Sequence, residues 1–128
     1  MPDDFKIEYH LDGGMVDEYR NITLQKIACN DEGKEDGGKK YSYQWTNKSI
    51  EDFENLYSEL YKLNTFTIPY TSGESPSDRG GETLRFTINN NEYKVYNSQG
   101  DFINQENVPI FNKSVELILG FANKNHKK

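Results

Sequence analysis

A single cysteine, Cys29, stands in 128 residues, so no intramolecular disulfide can staple the chain and no oxidising compartment is required. Histidine is nearly as scarce, at His10 and His126, which leaves little material for nucleophilic or acid–base catalysis. His126 falls in a terminal tail, and His10 alternates with apolar neighbours so that it should face solvent. No apolar stretch approaches the roughly 20 residues that span a bilayer. The amino terminus, MPDDFKIEY, lacks the basic-then-apolar order of a secretory leader, so the expectation is a cytoplasmic protein without membrane contact. The three glycosylation-type triplets at Asn21, Asn47 and Asn112 then carry no meaning.

Other signatures are missing as well. The doublets Gly13-Gly14, Gly37-Gly38 and Gly80-Gly81 lead into no helix with Lys-Ser/Thr, so they read as turns rather than a phosphate cradle. Asp31, Glu32, Glu35 and Asp36 carry the charge of a calcium loop but not its spacing, and the distal glutamate is absent. No metal, no cofactor and no catalytic residue is expected, and the chain reads as a non-enzyme.

Charge of one sign dominates the front half. Residues 1 to 59 hold 14 acids against 7 bases, whereas 60 to 128 hold 7 acids against 8 bases, within a net charge of −6. A basic footprint for phosphates is lacking, which argues against a general nucleic-acid binder. An acidic surface suits a basic protein partner, or imitates nucleic acid towards a protein that binds it.

What the chain does have is aromatic patterning, with nine Tyr and seven Phe. Phe5, Ile7, Tyr9 and Leu11 alternate with polar residues, as in a strand with one buried face. A second strand is expected from Tyr19 to Ala28, closing a hairpin whose tip runs from Asp12 to Glu18. Asn30 to Lys40, NDEGKEDGGKK, reads as an exposed loop. Tyr41, Tyr43 and Trp45 then mark a third strand, with core packing favoured over base or sugar stacking because no Lys or Arg shares their face.

The run from Ser49 to Pro69 is the clearest signal. Ser49 and Asp52 fit a capping box, and Ile50, Phe53, Leu56, Tyr57, Leu60 and Tyr61 recur at helical spacing to about Leu63. Asn64 suits a left-handed helix end. Phe66, Ile68 and Tyr70 alternate next, giving a short edge segment limited by Pro69. After an expected flexible loop over 71–81, Leu84, Phe86 and Ile88 form a strand, Asn89-Asn90-Asn91 a tight turn, and Tyr93 and Val95 the return. A last helix carries Phe111, Val115, Ile118, Leu119 and Ala122 inward. It ends in a frayed basic tail, 123–128.

The expected architecture is one α+β domain over residues 1–128. It comprises an antiparallel sheet of about four to five strands in the order β-β-β-α-β-β-α, with two helices on one face. Within the polar connection Ser98 to Pro109, Phe102 and Ile103 form an apolar pair, either folded onto the core or offered to a partner.

This pattern resembles the emfourin-like proteins, small cytoplasmic bacterial and archaeal inhibitors of thermolysin-like metalloproteases. The carrying residues are FKIEYHLDGG at 5–14, LYKLNTFTIP at 60–69, LRFTINNNEYKV at 84–95 and VPIFNKSVELILGF at 108–121. The resemblance implies that an exposed loop plugs a protease cleft while an apolar side chain fills its specificity pocket. Phe102 or Ile103 is the expected plug, with Met15 and Val16 of the first hairpin as a second contact. The alternative from charge alone is an acidic decoy, such as a phage-type antagonist of a nucleic-acid-binding defence protein.

Overall fold

The computed structural model describes residues 1–13, 17–35, 37–69, 81–97 and 105–126. Six antiparallel strands form one sheet: β1 (Lys6–Asp12), β2 (Tyr19–Leu24), β3 (Ala28–Lys34), β4 (Lys40–Thr46), β5 (Gly81–Ile88) and β6 (Asn91–Asn97). Their spatial order is β4-β3-β2-β1-β5-β6. Helices α1 (Ile50–Lys62) and α2 (Val108–His126) complete the α+β fold.

The sheet has one more strand than the sequence pattern suggests. Residues 30–34 belong to β3, and the expected second strand ends at Leu24 before a turn through Gln25–Ile27. The acidic run hides a strand because its inward positions, Cys29, Asp31 and Gly33, are small or charged rather than apolar, yet all three are buried. Hydropathy alternation reports buried area, and Asp31 is buried through an ion pair instead.

The segment after α1 also departs from expectation. Asn64 does take the left-handed conformation, φ 65°, but Thr65–Thr67 form a 3-10 turn rather than a strand. Thr67 donates its hydroxyl to the Asn64 carbonyl at 2.7 Å, and the buried Thr65 hydroxyl bonds that of Ser114 on α2 at 2.6 Å. Local hydroxyl bonding of this kind competes with strand formation. Phe66 nonetheless reaches the core, edge-on to Phe86 at 5.0 Å. Tyr70 lies outside the described residues.

Ser49 occupies the N-cap of α1 in extended conformation, φ −139°, but its side chain makes no capping bond. Glu51 and Asp52 remain in the first turn, where they suit the helix dipole. Phe53, Leu56 and Leu60 of α1 and Phe111, Val115, Ile118 and Ala122 of α2 bury against Ile7, Tyr9, Ile22, Leu24, Leu84 and Phe86 of the sheet. α2 continues through His126, so 123–126 is helix rather than frayed tail. The other sheet face carries Lys6, Glu8, His10, Arg85 and Glu92 and stays wet, as clean alternation allows.

One end of the sheet is tied down by amide and carboxylate side chains. Asn47, after β4, donates to the Gln25 and Lys26 carbonyls at 2.8 and 3.2 Å and so holds the β2–β3 turn. Asp4 accepts from the backbone N–H groups of Asn90 at 2.7 Å and Asn89 at 2.8 Å, in the positive-φ turn between β5 and β6. These two bonds hold the Asp4 carboxylate below its ordinary 3.8. A depressed folded value contributes stability above the unfolded value and loses it as pH falls through the folded one. Asp4→Asn is therefore expected to lower stability at pH 7 and to flatten its decline below about pH 4, read by urea denaturation at several pH values. An unchanged pH profile would show that the turn does not need the carboxylate.

Candidate functional site

The opposite end of the sheet is built differently. The register places Lys40, Lys34, Tyr19, Asp12 and Gly81 in one row across β4, β3, β2, β1 and β5, and Glu82 beside Gly81 pairs with Asn97 at the end of β6. Four connections attach along this row: 13–18, 35–39, the segment arriving at Gly81, and the segment leaving Asn97. Strands lie about 4.8 Å apart, so β1 and β6, with β5 between them, are roughly 10 Å apart. The segment containing Met15 and Val16 is therefore rooted close to the one containing Phe102 and Ile103. All four of those residues lie outside the described ones, as does the Ser98–Asn104 part of the second segment.

Beneath this end, on the helix side, the core becomes polar. Arg20 donates through Nε and Nη2 to the two Asp31 carboxylate oxygens at 3.0 and 2.7 Å, and Nη2 also donates to the Asn123 side-chain oxygen of α2 at 2.8 Å. Asp31 is 0% exposed. The Asp31 bond holds the Arg20 guanidinium more firmly protonated than usual. Two strands over, Tyr9 donates its hydroxyl to Glu82 at 2.6 Å; burial, and then that carboxylate, push the Tyr9 phenol up.

Tyr41 roofs this cluster. Its hydroxyl lies over Gly33, where any Cβ would come within 2.8 Å of the hydroxyl and collide with the Tyr19 carbonyl, so glycine is required by space. Burial and the nearby Asp31 charge raise the Tyr41 phenol. Arg20, Asp31, Lys39, Tyr41, Tyr43 and Asn123 border a depression of about 360 Å³ beside α2. Such a surface can bind through aromatic faces and charge, and its ion pair stiffens the strands that carry the connections.

Among the described residues, Cys29 and His10 are not brought together. Cys29 packs on the helix side opposite Trp45, while His10 points from the other face and meets Asn21 through Nδ1. Burial raises the Cys29 thiol, away from the thiolate form a nucleophile needs. Among the described residues no group of His, Cys, Asp and Glu is arranged to hold a metal ion, and no helix is long and apolar enough to cross a membrane.

Sequence reasoning missed Arg20 and Asp31. No local signal marks them, because Cys29, Asp31 and Gly33 fall in step with Tyr41, Tyr43 and Trp45 only through the β3–β4 register. The aromatic stripe does form a strand, but the expected core packing holds only for the half-buried Trp45; Tyr43 is exposed, and Arg20 and Lys39 border the same depression as Tyr41 and Tyr43.

No family model matches the chain, and no curated protein or solved structure does.

Proposed function

We propose that this chain is a non-enzymatic binding module that occludes a partner protein with the loop-bearing end of its sheet. The observation carrying this reading is the convergence of four connections on one row of strand ends, above a buried ion pair, while the other end is laced by Asn47 and Asp4. Recognition loops mounted on a stiff scaffold are the usual way a small domain fills another protein's cleft. The partner chosen is a thermolysin-like metalloprotease in the cytoplasm, with Phe102 or Ile103 as the apolar plug and Met15 and Val16 as the neighbouring contact.

Titrating a thermolysin-like protease with the protein tests this. Phe102→Arg with Ile103→Arg is expected to weaken inhibition by about 100-fold or more, the scale of lost anchor residues, with the thermal midpoint retained. Full inhibition by the double variant, or none by the parent chain, would sink the reading.

The acidic decoy is favoured by one feature, the outward side of α1, where Glu51, Asp52, Glu54 and Glu59 are exposed. The open sheet face mixes signs instead, with Lys6, Arg85 and Lys94 among Glu8 and Glu92. Charge-led mimicry weakens steeply with salt, whereas an apolar plug does not, so partner binding measured across ionic strength separates the two.

A further inference from the structure

The wet face of the sheet is hollowed by a depression of about 380 Å³ over β2, β1, β5 and β6. Glu8, Arg85 and Lys94 stand in one row across β1, β5 and β6, and Asn21, His10 and Thr83 in the next row across β2, β1 and β5. Long charged side chains thus flank shorter polar ones, and the space lies between them.

The fold leaves charge over at this place. Arg85 and Lys94 are directly opposed on β5 and β6, an arrangement that costs stability when both are cations. Glu8 is shared between Lys6 at 3.3 Å and Arg85 at 3.7 Å. Glu92 Oε1 lies 2.9 Å from Arg85 Nε but out of line with its N–H, which is buried and finds no acceptor. Lys94 is half-buried, and among the described residues no carboxylate pairs with it. Lys6, Arg85 and Lys94 therefore face only Glu8 and Glu92, and the surplus positive charge sits at Arg85 and Lys94.

The remaining lining suits hydroxyl groups. Asn21 Oδ1 accepts from His10 Nδ1, which leaves the Nε2 lone pair as an acceptor, and Thr83 offers a hydroxyl that donates or accepts. Among the described residues no Tyr, Phe or Trp ring stands over the depression, because the Tyr9 side chain belongs to the core, so a nucleobase finds nothing to stack on.

We infer that this depression binds a small hydroxylated anion, with its carboxylate or phosphate between Arg85 and Lys94 and its hydroxyls on Glu8, His10 and Thr83. Glu8 and Lys94 are two strand spacings apart, roughly 10 Å, which a short polyhydroxylated chain bridges. The site lies on the face away from the helices, and its occupant is independent of what the loops bind.

Backbone amide shifts of isotope-labelled protein, followed as gluconate, glycerol phosphate, sorbitol or inorganic phosphate is added, test the inference. Gluconate or glycerol phosphate is expected to move the amides around Glu8, His10, Thr83, Arg85 and Lys94 saturably at millimolar concentration, and the tighter of the two identifies the anionic head. Sorbitol, which lacks the charge, and inorganic phosphate, which lacks the hydroxylated chain, should each bind about tenfold more weakly. Lys94→Gln should weaken the preferred probe about tenfold while keeping the thermal midpoint, since it relieves the opposed cations. Lys40→Gln removes the same charge from β4 on the same face and should leave binding unchanged. No saturable shift with either hydroxylated anion, equal binding of sorbitol or inorganic phosphate, or equal effects of the two lysine variants would each overturn the inference.

Discussion

Arg20→Met is expected to cost about 3–5 kcal/mol of folding stability, one of the largest losses available to a single substitution outside the apolar core. The Asp31 carboxylate is wholly buried and receives two hydrogen bonds from the guanidinium. Methionine fills part of the space but takes the guanidinium and its two hydrogen bonds away from a carboxylate that stays in the interior. The same change releases the bond to Asn123, which ties the end of α2 to β2. Replacing both partners, Arg20→Met with Asp31→Leu, should recover most of the loss, because an apolar pair carries no desolvation penalty. Urea denaturation of the two single variants and the double variant makes the cycle. A single-variant loss below about 1 kcal/mol would place the pair in the weak class of exposed ion pairs and remove the stiffening assigned to it.

Phe53→Ala is expected to cost a similar amount, about 3–5 kcal/mol, for a different reason. The ring is fully buried where α1 meets both the sheet and α2, 5.6 Å from Phe5 and 6.0 Å from Phe121. Truncation removes the transfer free energy of the ring and leaves a cavity between three elements that cannot all close in at once. Phe53→Leu should lose clearly less, since it restores most of the volume. Equal losses for the two would show that the neighbours collapse freely onto the site.

The two sites were not equally visible in the primary structure. Phe53 belongs to a stripe with Leu56 and Leu60 at helical spacing, and any helix there must bury it. Likewise the alternation of Ile7, Tyr9, Leu84, Phe86 and Val95 marks inward positions whatever the strand order, and all five are buried. Asn64, Asn89 and Asn90 were readable as turn residues because few side chains tolerate positive φ. Arg20 and Asp31 were not readable. A charged residue reads as exposed until its counter-charge is known to stand on the adjoining strand, and residue 20 meets residue 31 only through the β2–β3 register.

The candidate site divides the same way. Met15, Val16, Phe102 and Ile103 stand out as apolar residues in polar connections, a local feature needing no neighbours. That their segments root on strands with only β5 between them depends on β5 pairing with β1, a contact between residues 69 to 81 positions apart. Periodicity carries no information about strand order, because every order buries the same faces. The sequence by itself determined which faces are apolar and where the chain turns. Only the tertiary structure decided that the acidic run is a strand, that its Asp31 is a buried partner of Arg20, and that the connections share one end. Those three depend on pairing at a distance, which long-range packing and not local preference selects.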